Sequence, residues 1–145
     1  MRIRYFEHGD VEQWFDLLLQ LWPDSSREDL EFALANIKRN PPTLAVFVAT
    51  EEASLIGFIE VSTRDWADGC STRNVGYIEG WFVRPETRRK GVGGRLVKAA
   101  EQWAITQGCR EMGSDTEIEN ETSRASLTRY VEKSQLAVFG KRIAQ

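Results

Sequence analysis

A basic, glycine-rich turn at residues 88–95 constrains the fold of this chain more than any other feature. The turn has the sequence Arg-Arg-Lys-Gly-Val-Gly-Gly-Arg, and it stands between the strand-like run 75–83 and a helix-like run that continues through Leu96 and Trp103. Glycines at the start of a helix leave backbone N–H groups accessible at the positive end of the helix dipole, and four cations add charge to the same place. The sequence therefore predicts a strand–turn–helix unit that binds a polyanion such as a phosphate group.

Two other phosphate-binding loops do not fit these residues. A P-loop ends in Gly-Lys-Ser/Thr, whereas Gly94 is followed by Arg95. A dinucleotide-binding turn has a third glycine where this chain has Leu96. A solvent-exposed basic helix start, without a ligand, remains the alternative.

Composition narrows the class of protein. With 145 residues, 41% hydrophobic and 28% charged, we expect a single domain over residues 1–145 with a real core. No apolar run approaches the about 18 residues of a membrane helix, and the N-terminus lacks a signal-peptide core, so a cytoplasmic location and no membrane partner are expected. His8 is the only histidine, and Cys70 and Cys109 have no CxxC partners. We therefore expect no metal, and acid–base chemistry by carboxylates, tyrosines or water.

The net charge of −3 hides an asymmetry. Residues 84–95 hold five cations and one acid, whereas residues 111–121 hold five acids and no cation. This arrangement favours an anionic cofactor that meets a cationic acceptor, and it is a poor fit to nucleic acid, which requires basic residues across a whole face. Two solvated charged loops are the alternative.

Short apolar runs and helical patterns alternate irregularly along the chain. The pattern predicts a first strand at residues 3–6, helices after Asp10 and Ser26, a hairpin at 43–63, a strand through 75–83, a helix to about 107, a strand at 110–114, a polar helix near 120–129 and a last strand or hairpin over 130–142. This order predicts a mixed sheet covered by helices, an α/β (α+β) fold. Gly76 and Gly80 predict a bulge that separates the central strand from its neighbour.

Taken together, these features resemble the GCN5-related N-acetyltransferase (GNAT) superfamily, and most closely its aminoglycoside 6′-N-acetyltransferases. The glycine turn is similar to the pyrophosphate loop of the superfamily, and other elements point to the narrower family. These elements occur in order, at residues 21–23 (Leu-Trp-Pro), 65–70, 78–83, 108–116 and 119–120.

The resemblance implies a role for each matching residue. The backbone of Trp81, Phe82 and Val83 would bind the pantetheine arm of acetyl-coenzyme A, residues 89–94 (Arg89, Lys90, Gly91, Val92, Gly93, Gly94) its pyrophosphate, and Asn120 its thiol end. Glu79 and Asp115 would be catalytic and face the acceptor amine, and Trp22 would line the acceptor pocket. Relatives carry tyrosine where this chain has Trp66, which keeps an aromatic wall without a hydroxyl.

An alkylammonium group, with a pKa near ~10, must lose a proton before it can attack a thioester. We expect Asp115 to receive that proton, directly or through water, while Glu79 orients the amine. A backbone N–H beside residues 81–82 would stabilise the oxyanion, and transfer would be direct in a ternary complex. Simpler roles remain open: a structural ion pair for Glu79, a cap for Asp115 and core packing for Trp22 and Trp66.

The last part of the chain departs from the family pattern. The Leu-Gly-aromatic turn of relatives is replaced by residues 126–133, which contain no glycine. The apolar run 135–139 has little chain left to pair with, so we expect it to form a homodimer. Two other functions stay open: an acetyltransferase for a polyamine or a protein amine, and a catalytically silent acyl-coenzyme A-binding module.

Overall fold

The computed structural model describes residues 1–115, 132–133 and 138–144, with the backbone alone at 132–133 and 138–139. Seven strands and three α-helices are present in these ranges, together with two short 3₁₀ turns. In chain order they are β1 (Arg2–Tyr5), α1 (Val11–Leu21), α2 (Arg27–Lys38), β2 (Leu44–Glu51), β3 (Ser54–Arg64), β4 (Val75–Val83), α3 (Val92–Thr106), β5 (Glu111–Asp115), β6 (Glu132–Lys133) and β7 (Val138–Arg142).

The seven described strands form one mixed sheet in the order β1-β2-β3-β4-β5-β7-β6. Every neighbouring pair is antiparallel except β4 and β5, which are parallel because α3 connects them as a crossover. The expected mixed sheet is therefore confirmed, and so are the hairpin, the central strand and the helix that follows the glycine turn.

Helices cover both faces of the sheet and create two cores. On one face, α3 packs against β2, β3 and β4, and the fully buried side chains there include Ile59, Val61 and Leu96. On the other face, α1 and α2 pack around Trp14 and Phe58. We call the second face, which carries α1 and α2, the acceptor face. The alternation of β3 places Phe58, Glu60, Ser62 and Arg64 on this acceptor face.

The predicted bulge in the central strand is confirmed. Glu60 pairs with Gly80 but Val61 pairs with Ile78, so Glu79 is the extra residue. The bulge reverses the alternation of β4: Tyr77 and Gly80 both lie on the acceptor face, opposite Ser62 and Glu60, although an even number of residues, Ile78 and Glu79, lies between them. Sheet geometry therefore brings Glu79 beside a row of polar residues on β3.

Helix α2 begins as the sequence predicts. Asp29 N donates to Ser26 Oγ at 3.1 Å, and Ser26 N donates to the Asp29 carboxylate at 2.8 Å, which forms a capping box. Asp10 precedes α1 as expected, but its carboxylate makes no cap on that helix. It accepts instead from both guanidinium N–H groups of Arg4, at 2.7 and 2.9 Å, and this hydrogen bonding is the main reason its pKa is lowered.

The dimer prediction assumed that the run 135–139 has little of its own chain to pair with, and this premise is wrong for part of the run. Residues 138 and 139 belong to β7, which pairs with β5 on one side and β6 on the other, so this strand does find partners in its own chain. Residues 134–137, the helix expected near 120–129, Asn120 and Tyr130 lie outside the described residues. Cys70 and Cys109 are free thiols, as expected.

Candidate active site

Strands β4 and β5 separate beyond the bulge. They pair only at Gly76–Met112, Tyr77–Gly113 and Ile78–Ser114, and β4 then continues for five residues to Val83. In the described part of the chain, β3 accompanies this extension and β5 does not. The side of residues 79–83 that β5 does not accompany can therefore accept an extended ligand along the backbone of β4.

The glycine turn lies at the end of the same strand. Gly91 is the N-cap of α3 with φ +83°, a left-handed conformation that favours glycine, and no side chain caps the helix there. A Cβ on Gly91 would meet no atom within 4 Å, so the space beside the turn is open. A Cβ on Gly93 would lie 3.1 Å from the Trp81 ring, so this glycine lets the helix start pack on β4.

The cations of the turn divide into two groups. Arg88 points back to the strand: its Nε donates to the Val83 carbonyl at 2.8 Å, and its guanidinium lies 5.3 Å from the centre of the Phe82 ring. Arg89 and Lys90 are exposed beside Gly91. Arg89 and Lys90 thus remain at the open helix terminus. Arg88 does not, because it bonds to the Val83 carbonyl, one of the backbone groups of β4 expected to bind the pantetheine arm.

At the bulge, the carboxylate of Glu79 is held by two side chains of β3. Arg64 donates to both of its oxygens, with Nη2–Oε1 at 2.5 Å and Nε–Oε2 at 3.2 Å, and Ser62 Oγ donates to Oε2 at 2.8 Å. The Glu79 side chain is only 26% exposed. A bidentate arginine–carboxylate pair of this kind fixes the Glu79 carboxylate in position. The structural ion pair considered for Glu79 is therefore present, at the point where the resemblance places the acceptor amine.

Asp115 reaches the same cluster from β5. It ends that strand at the surface, close enough to the Tyr77 hydroxyl for its negative charge to act on that group. The pKa of Tyr77 is raised, first by burial and then by the charge of Asp115. The Arg64 guanidinium lies 3.6 Å from the centre of the Tyr77 ring. Arg64 and Tyr77 therefore connect the two carboxylates that the sequence singled out, although 36 residues separate those carboxylates.

Trp22 lies against the same part of the sheet. A Cβ on Gly80 would come within 2.9 Å of the Trp22 ring, so the indole packs on the backbone next to Glu79 and remains 43% exposed. Trp66 is 63% exposed in the segment between β3 and β4. Neither tryptophan is an ordinary core residue, and both offer aromatic surface to solvent.

The segment that carries Trp66 is attached to β5 by a buried carboxylate. Glu111 Oε1 accepts from the backbone N–H groups of Ser71 and Thr72, at 2.9 and 2.6 Å, and from the Thr72 hydroxyl. Burial raises the pKa of Glu111, but these hydrogen bonds and the charge of Arg142 outweigh burial, so the pKa is lowered overall. Glu111 therefore binds the base of this segment as an anion.

A groove of about 480 Å³ runs along the acceptor face beside Glu79. Its floor includes Glu60 and Ser62 of β3, and the last turn of α2 contributes Asn36 and Arg39. Sequence analysis missed Glu60, Ser62, Arg64 and Tyr77, although Glu60, Ser62 and Arg64 recur at the strand period of two. The sequence pattern does not give the register of β3 with β4, and only this register places these residues beside the bulge.

Comparisons with known proteins agree with this geometry. Residues 11–130 match the acetyltransferase (GNAT) family model. The chain is 35% identical to an aminoglycoside N(6′)-acetyltransferase type 1 of Klebsiella aerogenes, over 96% of this chain and 95% of that protein. It is 38% identical to the protein of the same name from Salmonella enteritidis, over 86% of each.

Solved structures are also similar to this chain. The aminoglycoside acetyltransferase AAC(6′)-Iy in complex with the bisubstrate analogue CoA-S-monomethyl-acetylneamine is 33% identical, with a TM-score of 0.84 over 92% of both chains. The same protein in complex with CoA gives a TM-score of 0.85 over 92% of this chain and 89% of that one. By family model, by sequence relatives and by fold, the chain belongs to the acetyltransferase (GNAT) family, as a relative of its aminoglycoside N(6′)-acetyltransferases.

Proposed function

We propose that this chain is an aminoglycoside 6′-N-acetyltransferase that uses acetyl-coenzyme A as its cosubstrate and thereby confers antibiotic resistance. The observation that carries the proposal is the similarity to enzymes of that name at 30–38% identity across 86–99% of this chain. The arrangement of β4 supports it, because one strand presents an opening for an extended ligand on one side and a cluster of carboxylates at the bulge.

The coenzyme end fits acetyl-coenzyme A. Backbone groups of residues 81–83 would bind the pantetheine arm in the opening beside β4, although the Val83 carbonyl already accepts from Arg88. The N–H groups of residues 91–94 and the cations Arg89 and Lys90 would bind the pyrophosphate. Asn120, outside the described residues, would contact the thiol end. When bound, the coenzyme supplies an activated acetyl thioester.

The acceptor end fits a cationic amine. Glu79 and Asp115 would bind the 6′-ammonium group between them, and Arg64 and Tyr77 would hold the two carboxylates in place. Trp22 and Trp66 would form aromatic walls for the sugar rings. The backbone beside residues 81–82 would donate to the oxyanion, and the acetyl group would pass directly from coenzyme to amine without an acyl-enzyme.

The test is an assay of thiol release with acetyl-coenzyme A and a panel of amines. Kanamycin and tobramycin should each release one equivalent of thiol per acetylated 6′-amine, and mass spectrometry should identify that acetylated amine. Spermidine or a peptide N-terminus should react far more slowly. Faster reaction with spermidine or the peptide would replace the proposed substrate class. Binding of coenzyme without turnover of any amine would indicate the silent module.

We also propose that the chain forms a homodimer and acts in the cytoplasm as one domain. The support for a dimer is the position of β6 at one edge of the sheet and β1 at the other, since exposed edges favour pairing with a second chain. Light scattering at micromolar concentration should give twice the mass of the 16.6 kDa chain. A cytoplasmic site follows from the need for acetyl-coenzyme A.

A further inference from the structure

The role we assign here to Glu60 rests on the proposed function. Glu60 lies on the acceptor face of β3, directly opposite Gly80 and next to the bulge of Glu79. Gly80 has no side chain, and the Trp22 ring packs on it, so Glu60 adjoins the aromatic wall of the acceptor site. Glu60 and Glu79 both line the 480 Å³ groove.

The three carboxylates of this face differ in their partners. Glu79 accepts three hydrogen bonds from Arg64 and one from Ser62, and Asp115 lies near the Tyr77 hydroxyl, whose pKa its negative charge raises. Glu60 has neither a cation nor a hydrogen-bond donor among the residues that the structure describes. A half-buried carboxylate without a partner costs stability, so its position at the groove calls for another explanation.

The surroundings of Glu60 raise its affinity for a proton. Burial, and then the negative charge of Glu79, raise its pKa to about 7. The charged groups around it are Glu79 on β4, Arg64 further along β3 and Arg39 just after α2; Arg64 is paired with Glu79, and Arg39 donates to Asn36. A carboxylate with this affinity for a proton is suited to general base catalysis at neutral pH.

We propose that Glu60 accepts the proton that the aminoglycoside ammonium group must lose before it attacks the thioester. The resemblance led us to expect that Asp115 receives this proton, but Asp115 lies at the surface, whereas Glu60 lies in the groove and has no hydrogen-bond partner among the described residues. Glu79 and Asp115 then hold the amine, and Glu60 deprotonates it.

The step balances as follows. The ammonium group gives one proton to the Glu60 carboxylate, leaving a neutral amine and a carboxylic acid. The nitrogen lone pair forms the C–N bond to the acetyl carbon while the C–S bond breaks and the sulfur keeps its electron pair. The second nitrogen proton neutralises the thiolate, and Glu60 returns its proton to water when the products leave.

The experiment compares kcat/KM for kanamycin in the wild type and in Glu60→Gln from pH 5.5 to pH 8.5. Glutamine has nearly the same shape but cannot take the proton. The ratio of wild type to variant should increase about tenfold per pH unit below pH 7 and level off above it at ~10²-fold or more. Glu51→Gln, an exposed charge at the far end of the β2–β3 hairpin, is the matched control and should give a ratio near one at every pH.

Other outcomes would overturn the assignment. A ratio that is constant with pH, with an effect on KM alone, would make Glu60 a charge that only attracts the substrate. If Asp115→Asn shows the pH-dependent ratio and Glu60→Gln does not, the proton belongs to Asp115. If the wild type acetylates no aminoglycoside, the proposed function is wrong, and so is the role of Glu60 in deprotonating that substrate.

A direct titration gives a second readout without turnover. Carbon-13 NMR of labelled glutamate side chains should show one carboxyl that titrates near pH 7, is absent from Glu60→Gln, and moves to lower pH in Glu79→Gln, where the repelling charge is gone. A Glu60 signal that titrates at the ordinary value of a glutamate would contradict the proposal.

Discussion

The two ends of β4 are built in different ways, and under the proposed function each end binds a different ligand. Beyond the bulge, the end proposed to bind the coenzyme is made of backbone: a side of β4 that β5 does not accompany, a glycine turn with a left-handed residue, and the N–H groups of a helix. Before the bulge, the acceptor end is made of side chains from three strands, connected through Arg64. One end depends on the path of the chain, the other on charges that only the folded sheet assembles.

This difference determines what single substitutions should do. A backbone site tolerates most side-chain changes and fails where a side chain enters space that the backbone needs. A side-chain site fails when one charge of a connected set is removed, because the remaining charges lose their partner. Three substitutions test this contrast.

The largest effect is expected for Glu79→Gln. The change removes a carboxylate that binds the amine and leaves Arg64 without its main partner, so kcat/KM for the aminoglycoside should fall about 10²- to 10³-fold. Affinity for coenzyme A, measured by calorimetry, should stay within about twofold, because the glycine turn lies beyond the bulge. An equal loss of coenzyme affinity would show that the two ends are not separable.

Gly93→Val tests the coenzyme end. The added side chain would collide with the Trp81 ring, 3.1 Å from the ideal Cβ position, and displace the helix start from β4. The Kd for coenzyme A should rise about 10- to 100-fold. Gly9→Val is the matched control, because a Cβ there meets nothing within 4 Å, and it should bind coenzyme normally. Unchanged affinity in Gly93→Val would remove the glycine turn from the coenzyme site.

The smallest effect is expected for Glu111→Gln, which weakens the attachment of the segment that carries Trp66. The KM for aminoglycoside should rise about threefold to tenfold with little change in coenzyme affinity, and stability should fall by about 2 kcal/mol near pH 7. Because the folded pKa of Glu111 is lowered, its stabilisation is present above the ordinary pKa of a glutamate and is lost as the pH falls through the lowered value. The Tm difference from wild type should therefore shrink in acid, and Glu101→Gln should keep wild-type aminoglycoside KM.

The same contrast explains what could be predicted from the sequence. The glycine turn is contiguous, so its residues, its place before α3 and the bulge near Gly80 follow from local chemistry. Glu79 and Asp115 were singled out through the family resemblance, and the structure brings them together. The sequence did not reveal Arg64, Tyr77 and Glu60, because their roles depend on strand register. A one-residue bulge changes the face of the sheet on which each residue of β4 lies.

The Glu111 anchor has a consequence for how this enzyme could diversify. Its hydrogen bonds reach the backbone N–H groups and the hydroxyls of Ser71 and Thr72, so they do not depend on the side chains before Ser71. Within the stretch 65–70, Ala67 is buried against Val75 and Tyr77, but exposed positions such as Trp66 can change while the base of the segment stays attached to β5. An altered antibiotic range can therefore arise from changes in this short segment, while Glu111 keeps the base of the segment in place.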